Sequence, residues 1–195
     1  IMQQFAYIYK YDHRNRCIWK KLPGAKHILY VYDKADQLIF TQDGEQRNRK
    51  TNGRSEWTFN KYDAFGRLII SGIYKTADTC EALATKYEKT VVKENVGSGS
   101  YGYTWYHLTE SEIDIKKHVL LVNYYDNYNN FPKMWDYPQV LVYKNEQDYG
   151  TKYNNAKGLL IGTRVKHFKP TGETEYSRAG ETATIYFYDN RVVKA

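Results

Sequence analysis

A Tyr-Asp pair that returns at the end of one apolar, aromatic run after another constrains this chain more than any other feature. Tyr9-Lys10-Tyr11-Asp12 is followed by Tyr30-Val31-Tyr32-Asp33, Asn60-Lys61-Tyr62-Asp63, Asn123-Tyr124-Tyr125-Asp126 and Tyr186-Phe187-Tyr188-Asp189. Self-similarity of this kind marks one supersecondary unit used again and again. The residue three places after the aspartate is Asn15, Asp36, Gly66 and Asn129 in the first four copies, and these residue types tolerate positive φ. A type I turn followed by a left-handed residue closes a β-hairpin with a bulge. An aspartate at the start of such a turn accepts hydrogen bonds from backbone amides within it. The phrase therefore predicts a strand, an aspartate-initiated turn, a left-handed residue and a return strand. In the first three copies that strand opens on Arg16, Gln37 or Arg67, followed by an apolar pair. The fifth copy departs, because Asn190-Arg191-Val192 follows Asp189 directly.

The spacing adds organisation. Asp12 and Asp33 lie 21 residues apart, and Asp33 and Asp63 lie 30 apart. The surplus of nine falls most naturally at 44–55, which is charged, contains glycine and has no apolar period, so it reads as an inserted loop. Hairpins are expected from 5–11 with 16–22, 27–32 with 37–42, and 57–62 with 67–74, building an antiparallel meander. Residues 78–89 break the pattern: Asp78 or Thr79 is an N-cap, and Ala82, Leu83 and Tyr87 form a helical stripe. Further strands are expected at 90–92, 103–108, 119–125, 140–143, 159–168 and 182–188, with a flexible loop at 97–102 and longer loops at 127–137 and 145–158. The chain divides accordingly into hairpins at 1–75, a helical insertion with a glycine and aromatic loop at 76–118, and further antiparallel strands of the same sheet at 119–195. The fold class is mainly β, a curved, shell-like or open sheet with one short helical insertion. Twenty-one tyrosines in 195 residues suit a pleated surface with one damp face, where a ring buries area and its hydroxyl still needs a polar partner.

Tyr62-Asp63-Ala64-Phe65-Gly66-Arg67-Leu68 resembles the Tyr-Asp-x-x-Gly-Arg-Leu signature of YD repeats. Over residues 7–74 the chain is similar to bacterial RHS repeat-associated proteins of the kind carried by Bacteroides-like bacteria. The resemblance is weaker at 119–131 and 183–193. It implies strands that wind into a large shell, which in relatives encloses a toxin or presents an adhesive surface. It also implies that this chain is a piece of a longer array, at a bacterial cell surface or secreted. The partners expected from it are neighbouring repeats of the same chain, an encapsulated C-terminal domain, or glycans. The function expected is structural and non-enzymatic. The turn motif that carries it comprises Tyr11, Asp12, Asn15, Tyr32, Asp33, Asp36, Tyr62, Asp63, Gly66, Arg67, Tyr125, Asp126, Asn129, Tyr188 and Asp189.

Chemistry outside the turns is sparse. His13, His27, His107, His118 and His167 lack a Cys or carboxylate at zinc-ligand spacing, and no phosphate loop, nucleophile elbow or His-Glu-x-x-His motif occurs. Neither a cofactor nor a metal is expected, and the periodic aspartates read as turn caps before calcium ligands. Glu110, Glu112 and Asp114 cluster on a turn. Cys17 and Cys80 read as buried free thiols. The net charge of +7 comes from scattered Lys and Arg with no tight basic run interleaved with aromatics, so a solvated surface is expected and nucleic acid is not. No apolar run is long enough to span a membrane. The alternative function is a carbohydrate-binding module. If residues 101–107 are extended, Tyr101, Tyr103 and Trp105 share one face, and an exposed strip of that kind would stack sugars, whereas a buried one is core. An enzyme remains a third, weaker reading, and would need a cleft with paired carboxylates.

Overall fold

A computed structural model describes residues 5–128, 155–167 and 180–188. The protein is mainly antiparallel β, with ten strands among these residues and one helix longer than two turns. It divides into two compact units, Ile1–Asn95 with Trp105–Val119, and Val96–Thr104 with Leu120–Ala195.

The first unit begins as a hairpin meander: β1 (Ile8–Tyr11), β2 (Cys17–Lys21), β3 (Ile28–Tyr32) and β4 (Leu38–Gln42). After the short helix α1 (Gly44–Asn48) and the two-residue β5 (Lys50–Thr51), the long hairpin β6 (Arg54–Tyr62) and β7 (Leu68–Thr76) completes the sheet, with β4 pairing β6. The order is β1-β2-β3-β4-β6-β7, and β5 pairs β6 separately. Helices α2 (Cys80–Tyr87) and α3 (Ile115–His118) follow.

The stretch 44–55 is a structured element, which corrects the loop expectation. Asp43 caps α1 by accepting from the Gln46 amide at 2.8 Å, while the Gln46 side chain accepts from the Asp43 amide at 3.0 Å. That reciprocal pair is a capping box. The chain then reverses at Asn52 (φ 51°) and Gly53 (φ 75°), a two-residue connection that requires positive φ at both positions.

Three return strands share an irregularity. Tyr11 lies opposite Cys17 but Lys10 opposite Trp19; Tyr32 opposite Leu38 but Val31 opposite Phe40; Tyr62 opposite Leu68 but Lys61 opposite Ile70. One residue in each return strand (Ile18, Ile39, Ile69) is therefore extra, which breaks strict alternation. Consecutive apolar residues can then both be buried, as Ile39 with Phe40 and Ile69 with Ile70 are.

One sheet face carries Phe40, Trp57, Phe59, Lys61 and Tyr74, all buried. Over it lie Leu83 and Tyr87 of α2, Val92, Trp105, Leu108 and Ile113, also buried. Thr79 caps α2 through the Ala82 amide. Gly72 lies on the same face. A Cβ there would fall inside contact distance of the His118 carbonyl oxygen and 2.8 Å from Phe59 Cε1, so glycine lets residues 118–119 lie directly on the sheet.

The second unit contains β8 (Val119–Asp126, whose first residue belongs to the first unit), β9 (Ala156–Lys166) and β10 (Glu181–Ile185), antiparallel in that order. Tyr103 stacks on Tyr124 at 5.9 Å, and Val122, Ala156 and Ile161 are buried with them. The strand expected at 140–143 lies outside the described residues.

Candidate functional site: an aspartate-turn ladder and a buried ion pair

The three corners at Asp12, Asp33 and Asp63 are built alike. Each aspartate amide donates to the carbonyl four residues on at 3.0 Å, and the amide three residues on donates back to the aspartate carbonyl. One carboxylate oxygen accepts two further amides at 2.9–3.0 Å: Arg14 and Arg16 on Asp12, Ala35 and Gln37 on Asp33, Phe65 and Arg67 on Asp63. Asn15 (φ 59°), Asp36 (φ 62°) and Gly66 (φ 78°) supply the left-handed residue.

The second carboxylate oxygen distinguishes the corners. It accepts Arg16 Nε at 2.7 Å on Asp12 and Arg67 Nε at 2.6 Å on Asp63. The middle corner has Gln37 in place of arginine, and there Asp33 Oδ2 accepts the Val92 amide at 2.8 Å. Lys34 N also donates to Thr90 O, and Glu94 N to Tyr62 O. The substitution of Arg by Gln thus opens the corner to residues 90–94, and Asp33 becomes fully buried. These residues make a single parallel bridge (Tyr62 with Lys93) in place of the strand expected at 90–92.

Adjacent corners are tied together. Tyr32 Oη donates to Cys17 O at 3.0 Å, and Tyr62 Oη to Leu38 O at 2.9 Å. Cys17 and Leu38 each stand five residues after the aspartate of the preceding corner, so one tyrosine role recurs. Arg16 reaches forward to Asp33 O (3.1 Å) and Asp36 Oδ1 (2.8 Å), and Arg14 to Asp36 Oδ2 (2.6 Å). Burial raises the affinity of Asp12 for a proton, but the Arg16 amide and guanidinium and the Arg14 amide outweigh it and hold the carboxyl below its ordinary range.

Asp126 belongs to a different arrangement from the turn expected for it. It is itself left-handed (φ 72°), it lies opposite Ala156, and its Oδ1 accepts the Gly158 amide at 2.6 Å. The partner strand therefore begins 30 residues later, and no four-residue corner returns to β8. Tyr125 precedes it in β8. Tyr188 Oη donates to Leu160 O at 2.7 Å, the same kind of hydroxyl-to-carbonyl bond within the second unit. Asn129 and Asp189 lie outside the described residues.

The tentative aromatic strip is not a strip. Tyr101 (φ 59°) and Trp105 (φ 55°) are both left-handed, so 101–107 is not extended, and only Tyr103 bridges, to Val96. Tyr101 lies in a short 3-10 turn (Ser100–Gly102), beneath the Arg164 guanidinium at 4.6 Å. Burial, with the Glu181 charge beside it, pushes its hydroxyl up to about 12. Tyr103 and Trp105 are each 4% exposed, which leaves no sugar-stacking face.

A buried ion pair went unread in the sequence. Lys61 Nζ sits 2.8 Å from Glu94 Oε2, both side chains 1% exposed, and 4.1 Å from the centre of the Trp105 ring. Burial pushes the lysine down from its usual range, and the Glu94 hydrogen bond opposes that shift. Lys61 occupies an inward position between Phe59 and Asp63, so its alternation with Trp57 and Phe59 was the available signal. Glu110, Glu112 and Asp114 are exposed on a turn, and Glu112 caps it through the Thr109 amide at 2.7 Å.

A second grouping was dispersed in the sequence. Ile8, Lys10, Trp19 and Lys21 share one face of the β1–β2 hairpin, since Ile8 lies opposite Lys21 and Lys10 opposite Trp19. With Ala25–His27 and Gly44–Asn48 they line a cleft of about 560 Å³.

Among the described residues, no group of three or more His, Cys, Asp or Glu side chains is placed to hold a metal, and no helix is long and apolar enough to cross a membrane. Cys17 and Cys80 are free and half-buried, less enclosed than the sequence suggested; burial pushes the Cys80 thiol up to about 11. Comparison with protein-family models, curated proteins and solved structures finds no match.

Proposed function

We propose that this chain is a non-enzymatic structural segment of a YD-repeat, RHS-like protein at the cell surface or secreted from the cell, serving as scaffold wall. One observation carries the reading: the link from one corner to the next is itself repeated. Tyr32 holds the corner of Asp12, and Tyr62 holds the corner of Asp33, through the same atoms at the same offset. A bond that joins one unit to its neighbour has a purpose only in a stack, and stability then accumulates from neighbour to neighbour.

Tyr11 holds the corresponding place in the first corner. It is 58% exposed, beside Tyr9 at 43% and Tyr7 at 66%, and among the described residues β1 pairs only with β2. An open, tyrosine-rich strand edge is a template for a further strand, and a preceding hairpin of the same longer chain is its natural occupant. The polar ladder has no solvent-facing reactive group, since its carboxylates are occupied by amides and guanidinium groups.

Amide hydrogen exchange on the full-length protein tests this. The β1 amides not bonded to β2 should exchange as slowly as those of β3, because a neighbouring strand covers them. Exchange at the rate of an open edge in the full-length protein would overturn the proposal.

A further inference from the structure

We infer that the cleft between the β1–β2 hairpin and α1 is a binding site for a multiply charged oxyanion, a phosphate or sulfate group. This is independent of the scaffold reading and adds a ligand to it. Four cationic side chains, Lys10, Lys21, Lys26 and Arg47, come from four separate segments to line one cleft. Its volume of about 560 Å³ is within the range of small-ligand sites, on the order of 300–1,000 Å³, and exceeds what one isolated ion needs.

The positive charge is poorly compensated. Arg47 is half-buried, yet its guanidinium donates to two main-chain carbonyls, Gln42 O at 3.1 Å and His27 O. Lys10 Nζ lies over the Trp19 ring at 5.1 Å, and no carboxylate among the described residues pairs with it or with Arg47. Lys26 has the one ion pair at the rim, 3.3 Å from Glu45, with both groups exposed; such a pair is worth little. The nearby Asp43 carboxylate is committed to capping α1.

His27 reports the resulting field. It is pushed down from its ordinary range by burial and then by Arg47, Lys10 and Lys21 in turn. Positive charges that repel one another across a half-buried cleft are relieved by an anion between them. Trp19 is not a platform for a sugar ring: His27 stacks on it at 5.2 Å and Lys10 sits over it. Recognition therefore rests on charge, whether the oxyanion is free in solution or carried on a polymer such as a sulfated glycan.

The test uses the intact chain, inorganic pyrophosphate as the free probe, a sulfated hexasaccharide as the polymer-borne one, and the unsulfated hexasaccharide as control. Amide shifts on titration should concentrate at Trp19, Lys26, His27 and Asn48, with affinity falling as salt rises. The double variant Lys10→Gln with Lys21→Gln should weaken binding at least about tenfold, a difference of about 1.4 kcal/mol, with unchanged thermal unfolding. Arg47 is left intact because it also holds two carbonyls. The matched variant Lys34→Gln with Lys89→Gln, on exposed positions outside the cleft, should bind as the parent does. Binding of pyrophosphate supports a free oxyanion, and binding of the sulfated sugar alone supports a polymer-borne one. Equal loss in the two double variants, shifts spread over all surface lysines, equal binding of the unsulfated sugar, or no binding of either charged probe would each overturn the inference.

Discussion

At the scale of the residue, the three corner aspartates share one geometry but carry different burdens. Asp33 is fully buried and accepts amides from Ala35, Gln37 and Val92. Asp33→Ala strands three donors, and each buried group left unsatisfied costs about 1–3 kcal/mol, so a loss of about 3 kcal/mol or more is expected by urea unfolding. Asp12→Ala also removes its two amide bonds and the Arg16 pair, but at a corner open to water that can take over as partner, and should cost about 1 kcal/mol. Acid sensitivity belongs to this scale too. Asp12 has its folded pKa depressed, so its contribution is complete above the unfolded value of about 3.9 and is lost as pH falls through the lower folded value. Asp12→Asn should flatten the acid limb of a stability–pH curve below about pH 4; an unchanged limb would show that the Arg16 contact stabilises nothing. Asn15, Asp36 and Gly66 made these corners legible, because few residue types accept left-handed backbone. Asp126 shows the limit. Its local wording matches the others, but its partner amide at Gly158 is 32 residues away, and no local pattern encodes that distance.

Elements were legible where periodicity was strong. The hairpins and α2 follow from alternation and from a Thr79 cap. The segment 44–55 was misread because charge suggested a loop, although the Asp43-x-x-Gln46 box and the Asn52-Gly53 pair were both present in the sequence. The extended reading of 103–108 failed for a different reason. Aromatic residues favour strands only when a partner strand exists, and Trp105 is instead held in a left-handed bend over Lys61. That contact fastens residues 90–95 and 105–113 to β6. Removing either charge alone leaves the other buried, at a cost of about 3–5 kcal/mol. Lys61→Met and Glu94→Leu should each show such a loss by urea unfolding. The double variant should lose less than either, since apolar pairs replace buried ion pairs at little net cost. Additive losses would mean that the two groups are not coupled.

For the molecule as a whole, the mainly antiparallel β class was readable from the repeated phrase, while the covering layer was not. The covering layer of the first unit depends on one missing methyl group. Gly72→Ala places a Cβ against the His118 carbonyl and Phe59, and overpacking of a tight contact costs about 1–3 kcal/mol. The lowered urea midpoint should come with faster amide exchange at residues 105–119, and unaltered exchange there would remove the packing argument. Charge was the other property invisible before folding. Lysines 10, 21 and 26 and Arg47 are scattered along the chain, and only the hairpin register with α1 gathers them.

The extra residue in each of three return strands sets a rule for changes in chain length. Because side chains on a strand alternate between faces, a deletion of one residue from 17–18, 38–39 or 68–69 would turn the rest of that strand inside out relative to its neighbour. Growth or shrinkage of this protein is confined to the connections between hairpins, such as 44–53 between β4 and β6, or to whole hairpins at a time.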